Sequence, residues 1–140
     1  MRQRLRSERG ASAVEFAFIA PVLILLVLGI VEFGRAFQVQ GTLSAAAREG
    51  VRTMALRNDP ADARNVVRNA APSLNPAIAN PQITIAVLNG TTVLPGEKCP
   101  LTGAGATTVR LTIKYPMSYL TGFFGSSITL TGSGVMRCNG

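Results

Sequence analysis

The stretch RSERGASAVEFAFIAPVLILLVLGIVEFGR, Arg6 to Arg35, decides how this chain is organised. From Phe16 to Val31 it contains no charge, and counting from Ala11 the segment is 21 residues long. That is about the ~20 residues an α-helix needs to cross a ~30 Å hydrocarbon layer. A cleaved secretory signal should end in a small-x-small site, but the chain continues EFGRAFQVQG, with Phe and Arg where small residues belong. A core helix would have to hide sixteen consecutive uncharged residues inside a domain too small to surround them. A retained transmembrane helix is the reading that survives. Glu15, at its head, is the feature this reading must explain.

Charge gives the orientation. The 140 residues carry a formal charge of +7, and Arg2, Arg4, Arg6 and Arg9 against Glu8 concentrate +3 of it in the first ten. Arginines before the span, with no equally dense basic cluster just after it, put the N-terminus in the cytoplasm and the rest of the chain outside. The basicity is therefore partly a topology signal rather than the footprint of a nucleic-acid groove. The expected organisation is a basic cytoplasmic leader over 1–10, a transmembrane helix over 11–31, a stalk helix over 32–57 and an extracytoplasmic α+β domain over 58–140.

Helical spacing continues past the span: Phe33, Phe37, Leu43, Ala47 and Val51 recur with polar Glu32, Arg35, Arg48 and Arg52 between them. Pro21 is expected to bend the helix, and Gly34, Gly41 and Gly50 to weaken it by about 1 kcal/mol each relative to Ala. A second, short helix is predicted in NDPADARNVVRNAAP, where Asp59 is the N-cap, Pro60 suits the first helical position and Pro72 lies beyond the end. After a connector over 73–81 the period changes to two. QITIAVL and TTVL flank an Asn89-Gly90 turn, and TTVRLTIKY alternates Val109, Leu111, Ile113 and Tyr115 with polar residues. A last strand from Ser127 to about Arg137 contains Gly132 and Gly134, read as a bulge or a frayed edge. The fold class is α+β: a long membrane and stalk helix, a short helix and a small antiparallel sheet.

Chemistry is constrained by what is missing. The chain has no His and only two cysteines, Cys99 and Cys138. Neither a His/Cys zinc site nor a His-based relay can be built, and no metal or cofactor is expected. A Ser/Lys pair using Lys98 or Lys114, or carboxylates from Asp59, Asp62 and Glu97, could serve catalysis only if something brought them together, so no enzyme is expected. The two cysteines lie in the segment read as extracytoplasmic, where disulfides persist; the alternatives are a bridge and two unpaired buried thiols. Arg57, Arg64, Arg68, Arg110 and Lys114 are spread over helices and strand without interleaved aromatics, which argues against nucleic acid as a partner. Phe123 and Phe124 between Gly122 and Gly125 read either as a core plug or as an exposed sticky loop.

The order basic residue, Gly10, small Ala11, then Glu15 before an apolar span resembles the processing site of type IV prepilins. That resemblance implies cleavage after Gly10 by a membrane peptidase on the cytoplasmic side. Ala11 and Glu15 stand one helical turn apart, so a new ammonium on Ala11 and the carboxylate can share a face or pair between subunits. Ala13 and Ala17 form a small-xxx-small step that admits a close helix neighbour. With LSAAAREGVRTMAL following, the N-terminal third resembles the TadE-like family of minor pilins, or pseudopilins, of tight-adherence (Tad/Flp, type IVb-like) pilus systems. Glu15, Pro21, Gly29, Glu32, Arg35, Ala47, Arg48, Gly50 and Arg52 carry the likeness. The resemblance implies a single-pass inner-membrane protein that supports pilus assembly, with a prepilin peptidase, other pilin-like subunits, inner-membrane assembly proteins and membrane lipid as partners. Arg48 and Arg52 then read as contacts to another subunit or to lipid headgroups, against a merely solvated helix face. The competing reading is an uncleaved, single-span anchor carrying a binding module for surface adhesion or nucleic acid.

Overall fold

The computed structural model describes residues 4–101 and 107–138, and for residues 4–9 the backbone alone. Arg2, and the side chains of Arg4, Arg6 and Arg9 in the expected leader, lie outside the described residues. The chain divides into two compact units, residues 1–35 and residues 36–140. The first helix, α1 (Arg4–Arg57), contributes to both and passes through Pro21 as one continuous element. It begins before the expected Ala11, and Gly10 is helical.

In the second unit, α1 is followed by α2 (Pro60–Ala70), a 3-10 turn (Asn80–Gln82), and strands β1 (Ile83–Asn89), β2 (Thr92–Val93), β3 (Thr107–Ser118) and β4 (Ser127–Arg137). The sheet order is β2-β1-β3-β4, antiparallel at each step. Alternation in β3 works as the sequence requires: Val109, Leu111, Ile113, Tyr115 and Met117 are buried, while Arg110, Lys114 and Pro116 are exposed. The buried row lies in one core with Ile83 and Ile85 of β1, Val39, Leu43, Ala46, Ala47, Val51 and Met54 of α1, and Ala63 and Val67 of α2. Phe37 departs from the expected stripe. It is 76% exposed, because the buried positions run through Val39 and Leu43 rather than through the aromatic positions.

Local signals explain the ends of the elements. Asp59 Oδ1 accepts from the backbone N–H of Ala61 and Asp62 at the start of α2, a cap worth about 1 kcal/mol. Asn58, at φ 51°, closes α1 in the left-handed region that Asn tolerates better than other side chains. Its amide then holds Cys99 twice: Nδ2 donates to the Cys99 carbonyl at 2.9 Å, and the Cys99 N–H donates to Oδ1 at 2.7 Å. The tight turn between β1 and β2 is one residue later than expected. Asn89 pairs with Thr92 as the last residue of β1, so Gly90, at φ 62°, and Thr91 make the turn.

The β4 glycines form neither a bulge nor a frayed edge. Pairing with β3 runs unbroken from Thr108–Arg137 to Ser118–Ser127. Gly132 and Gly134 are buried, and a Cβ on Gly132 would lie 2.5 Å from the Leu43 carbonyl carbon and oxygen. At Gly134 it would lie 2.9 Å from the Ala47 oxygen and 3.1 Å from the Arg48 nitrogen. Two strand residues advance ~6.7 Å and one helical turn ~5.4 Å, so glycines at i and i+2 match helix positions four apart. Gly50 does the same for the other neighbours, since a Cβ there would meet Leu111 and Val67 side chains at 2.6 Å.

Cys99 and Cys138 form a disulfide with Cα atoms 5.7 Å apart. With a separation of 39 residues, loop entropy gives it a stabilisation of about 4 kcal/mol. Thiol labelling of the denatured, unreduced protein should find neither cysteine, and reduction should lower the unfolding free energy of the outer unit by about that amount; two labelled thiols would contradict the bridge. Gly132→Ala should cost about 1–3 kcal/mol in denaturant unfolding, because the obstacle is backbone. Gly41→Ala meets open space in a helix and should gain up to about 1 kcal/mol. Equal effects would contradict the close approach.

Candidate functional site

The candidate site is the head of the apolar run on α1. Gly10, Ala11, Ala13, Glu15 and Ala17 all lie on the helix and are exposed, as is Pro21. Ala11 and Glu15 are one turn apart and so lie on one face. Helix geometry alone brings Ala11, Glu15 and their neighbours together; no fold contact is needed. The most apolar stretch of α1 has a mean hydropathy of 2.7 and none of it is buried, so it is long and apolar enough to cross a membrane. Val14, Phe16, Phe18, Val22, Ile24 and Ile30 are each more than half exposed, as expected of side chains whose solvent is lipid. Glu32, at the far end of the run, is buried.

Arg48 and Arg52 are exposed on the stalk. The backbone of Arg48 is nevertheless held, because it lies under Gly134 of β4. This fixes where the guanidinium starts from while leaving the side chain on the surface. Sequence reasoning had both arginines but not the strand that seats Arg48.

The residues considered for catalysis have other partners. Asp59 caps α2, and Asp62 Oδ2 accepts from Arg57 Nη1 at 2.6 Å. Glu97 takes the guanidinium of Arg64, whose other terminal nitrogen reaches the Pro60 carbonyl. Arg68 donates to Asn80 and Asn65. Arg64 and Arg68 line a hollow of about 410 Å³ with Ala61, Asn65 and Asn80, and both cations are thus engaged within the protein. Among the described residues no group of His, Cys, Asp and Glu could hold a metal ion. These contacts hold helix ends and loops in place.

Sequence reasoning missed the Asn58 clamp on Cys99, for which the only signal was an Asn just past a helix end. It also missed Tyr115, whose hydroxyl donates to the Pro76 carbonyl at 2.9 Å and ties the connector to the sheet. Phe123 and Phe124 are exposed, which overturns the core-plug reading.

Neither a curated protein nor a solved structure matches the chain. The family model described as TadE-like protein matches residues 10–52, from Gly10 to Arg52, and in this N-terminal region the chain is similar to that family.

Proposed function

We propose that this protein is a minor pilin of a tight-adherence pilus, held in the inner membrane by α1 with its N-terminus cytoplasmic, and cut after Gly10 by a prepilin peptidase. The observation that carries this reading is the order Gly10, Ala11, Glu15 at the head of an uncharged, exposed helix inside the TadE-like match. Hydrolysis of the Gly10–Ala11 peptide bond leaves a carboxylate on Gly10 and an amine on Ala11. The new ammonium sits one turn from Glu15, at the i, i+4 spacing at which opposite charges on a helix meet. A carboxylate costs about 2.5–3.5 kcal/mol or more at the helix centre and less at the head of the span where Glu15 stands, and pairing with this ammonium, or with that of a neighbouring subunit, reduces that cost.

Gly10 is helical before the cut, and a peptidase must draw its substrate into an extended form. Glycine makes that local unwinding easier than any residue but proline, because it is a poor helix former. Partners in this reading are the peptidase, other pilin-like subunits beside Ala13 and Ala17, assembly proteins of the inner membrane, and lipid. The protein itself performs no catalysis and takes no cofactor.

N-terminal sequencing of protein made together with a matching peptidase should begin Ala-Ser-Ala-Val-Glu. A terminus at Met1 or Arg2 would instead favour the uncut anchor. Glu15→Gln should still be cut, because the charge it loses is needed only after the amine exists, while pilus output should fall severely. Normal piliation with the Gln variant would contradict the pairing role.

A further inference from the structure

The β3–β4 hairpin ends in an apolar tip. Gly125 N–H donates to the Gly122 carbonyl across a four-residue turn whose two central positions are Phe123 and Phe124. Turn centres usually carry polar residues or glycine, and the flanking glycines here, at φ 68° and 111°, supply the unusual backbone while the phenylalanines project. Phe123 is 70% exposed, Leu120 62% and Phe124 47%, and the Phe124 ring leans on Tyr119 with centroids 6.3 Å apart. No charge occurs from Tyr115 to Met136, so the whole lower part of this hairpin is uncharged.

Three contacts give the direction in which the tip points. Gln40 donates to the Thr131 carbonyl at 2.6 Å, and Gly132 and Gly134 sit against Leu43 and Ala47. β4 and this part of α1 therefore run the same way, and the tip lies towards the Ala36 end of the outer unit. From Thr131 back to Ser127 the strand covers ~13 Å, whereas α1 from Gln40 back to Ala36 covers ~6 Å. The tip thus reaches past the level of Ala36. Along the chain the uncharged run ends at Val31, five residues before Ala36. Five residues span at most ~18 Å even when fully extended, so along the chain Ala36 follows the end of the uncharged run by no more than that distance.

We propose that Leu120, Phe123 and Phe124 insert into the interface of the outer leaflet, making the hairpin tip a second, shallow membrane contact beside the anchor. Phe and Leu side chains suit the boundary between headgroups and acyl chains, and a tip free of charges avoids the largest desolvation cost. Two attachments would fix how the outer unit stands on the membrane before a subunit is drawn into an assembly. The inference rests on α1 being the membrane anchor, and its test separates the two.

The chain has no Trp, so single-Trp variants of the full chain report one position each. Phe123→Trp, Leu101→Trp and Val22→Trp would be reconstituted in phosphatidylcholine/phosphatidylglycerol vesicles with lipid spin-labelled near the headgroup or deep in the acyl chain. Leu101 lies two residues from Cys99, which is bridged to Cys138 at the far end of β4, on the order of 35 Å from the tip. The expected result is loss of Phe123→Trp emission with the shallow label, loss of Val22→Trp emission with the deep label, and no loss for Leu101→Trp. Phe124→Trp should repeat the Phe123→Trp result. If Val22→Trp is quenched and Phe123→Trp is not, the tip proposal falls while the anchor stands; if Trp at 123 is shielded from aqueous iodide but not quenched by lipid, a protein occupies the tip and the proposal also falls. Absence of quenching at Val22 removes the anchor, and the tip proposal with it.

Discussion

The direct seating of β4 on the backbone of α1 is the constraint on which the outer unit depends. Two glycines on one face of the strand meet two helix positions one turn apart, and no side chain separates the elements. This lets a small unit bury a helix without a thick core. It also fixes β4 lengthwise against the helix, through the fit of Gly132 to Leu43 and Gly134 to Ala47. The remaining strands inherit their positions from β4 through one unbroken antiparallel register with β3 and the pairing of β3 with β1. Gly50 extends the same economy to α2, whose Val67 and the β3 residue Leu111 close over the helix.

α1 answers two solvents with two kinds of surface. Between Phe16 and Val31 its large side chains other than half-buried Leu28 are exposed, a pattern suited to hydrocarbon. Between Val39 and Met54 the buried face is built mainly of small or medium residues, Ala46, Ala47, Gly50 and Val51 among them, a pattern suited to close contact with a sheet. The disulfide and the Asn58 clamp both act on Cys99, holding the loop before β3 to the end of α1 and to the end of β4. Ends that would otherwise fray are tied to each other, on the side of the sheet away from the hairpin tip.

Much of this was legible because the signals are periodic or local. Sixteen uncharged residues, the Asp59-Pro60 cap and the strict alternation of β3 each specify an element without reference to any other. The meaning of Gly132 and Gly134 was not legible, since a glycine in a strand looks the same whether it marks a bulge or admits a helix. The partner, not the strand, distinguishes the two. Phe37 misled for a related reason: hydrophobicity at helical spacing shows that an apolar stripe exists, but small Ala47 and Gly50 define the buried face more strongly than the bulky aromatic does. Asn58 could be read as a helix end but not as a clamp on Cys99, because that contact joins residues 41 apart. The order Gly10, Ala11, Glu15 is read from its likeness to a prepilin processing site, with Ala11 and Glu15 one helical turn apart; the strand that seats Arg48 has no such local signal.

One helix is thus apolar enough to cross a membrane in its first half and supplies part of the core of the second unit in its last. Hydrogen exchange of the full chain in a lipid bilayer tests this double role most directly, since exchange reports how often each amide opens to water. The account predicts two strongly protected stretches in α1, one through Phe16–Val31 shielded by lipid and one through Leu43–Met54 shielded by the sheet. Rapid exchange through Leu43–Met54, with the first stretch still protected, would contradict it.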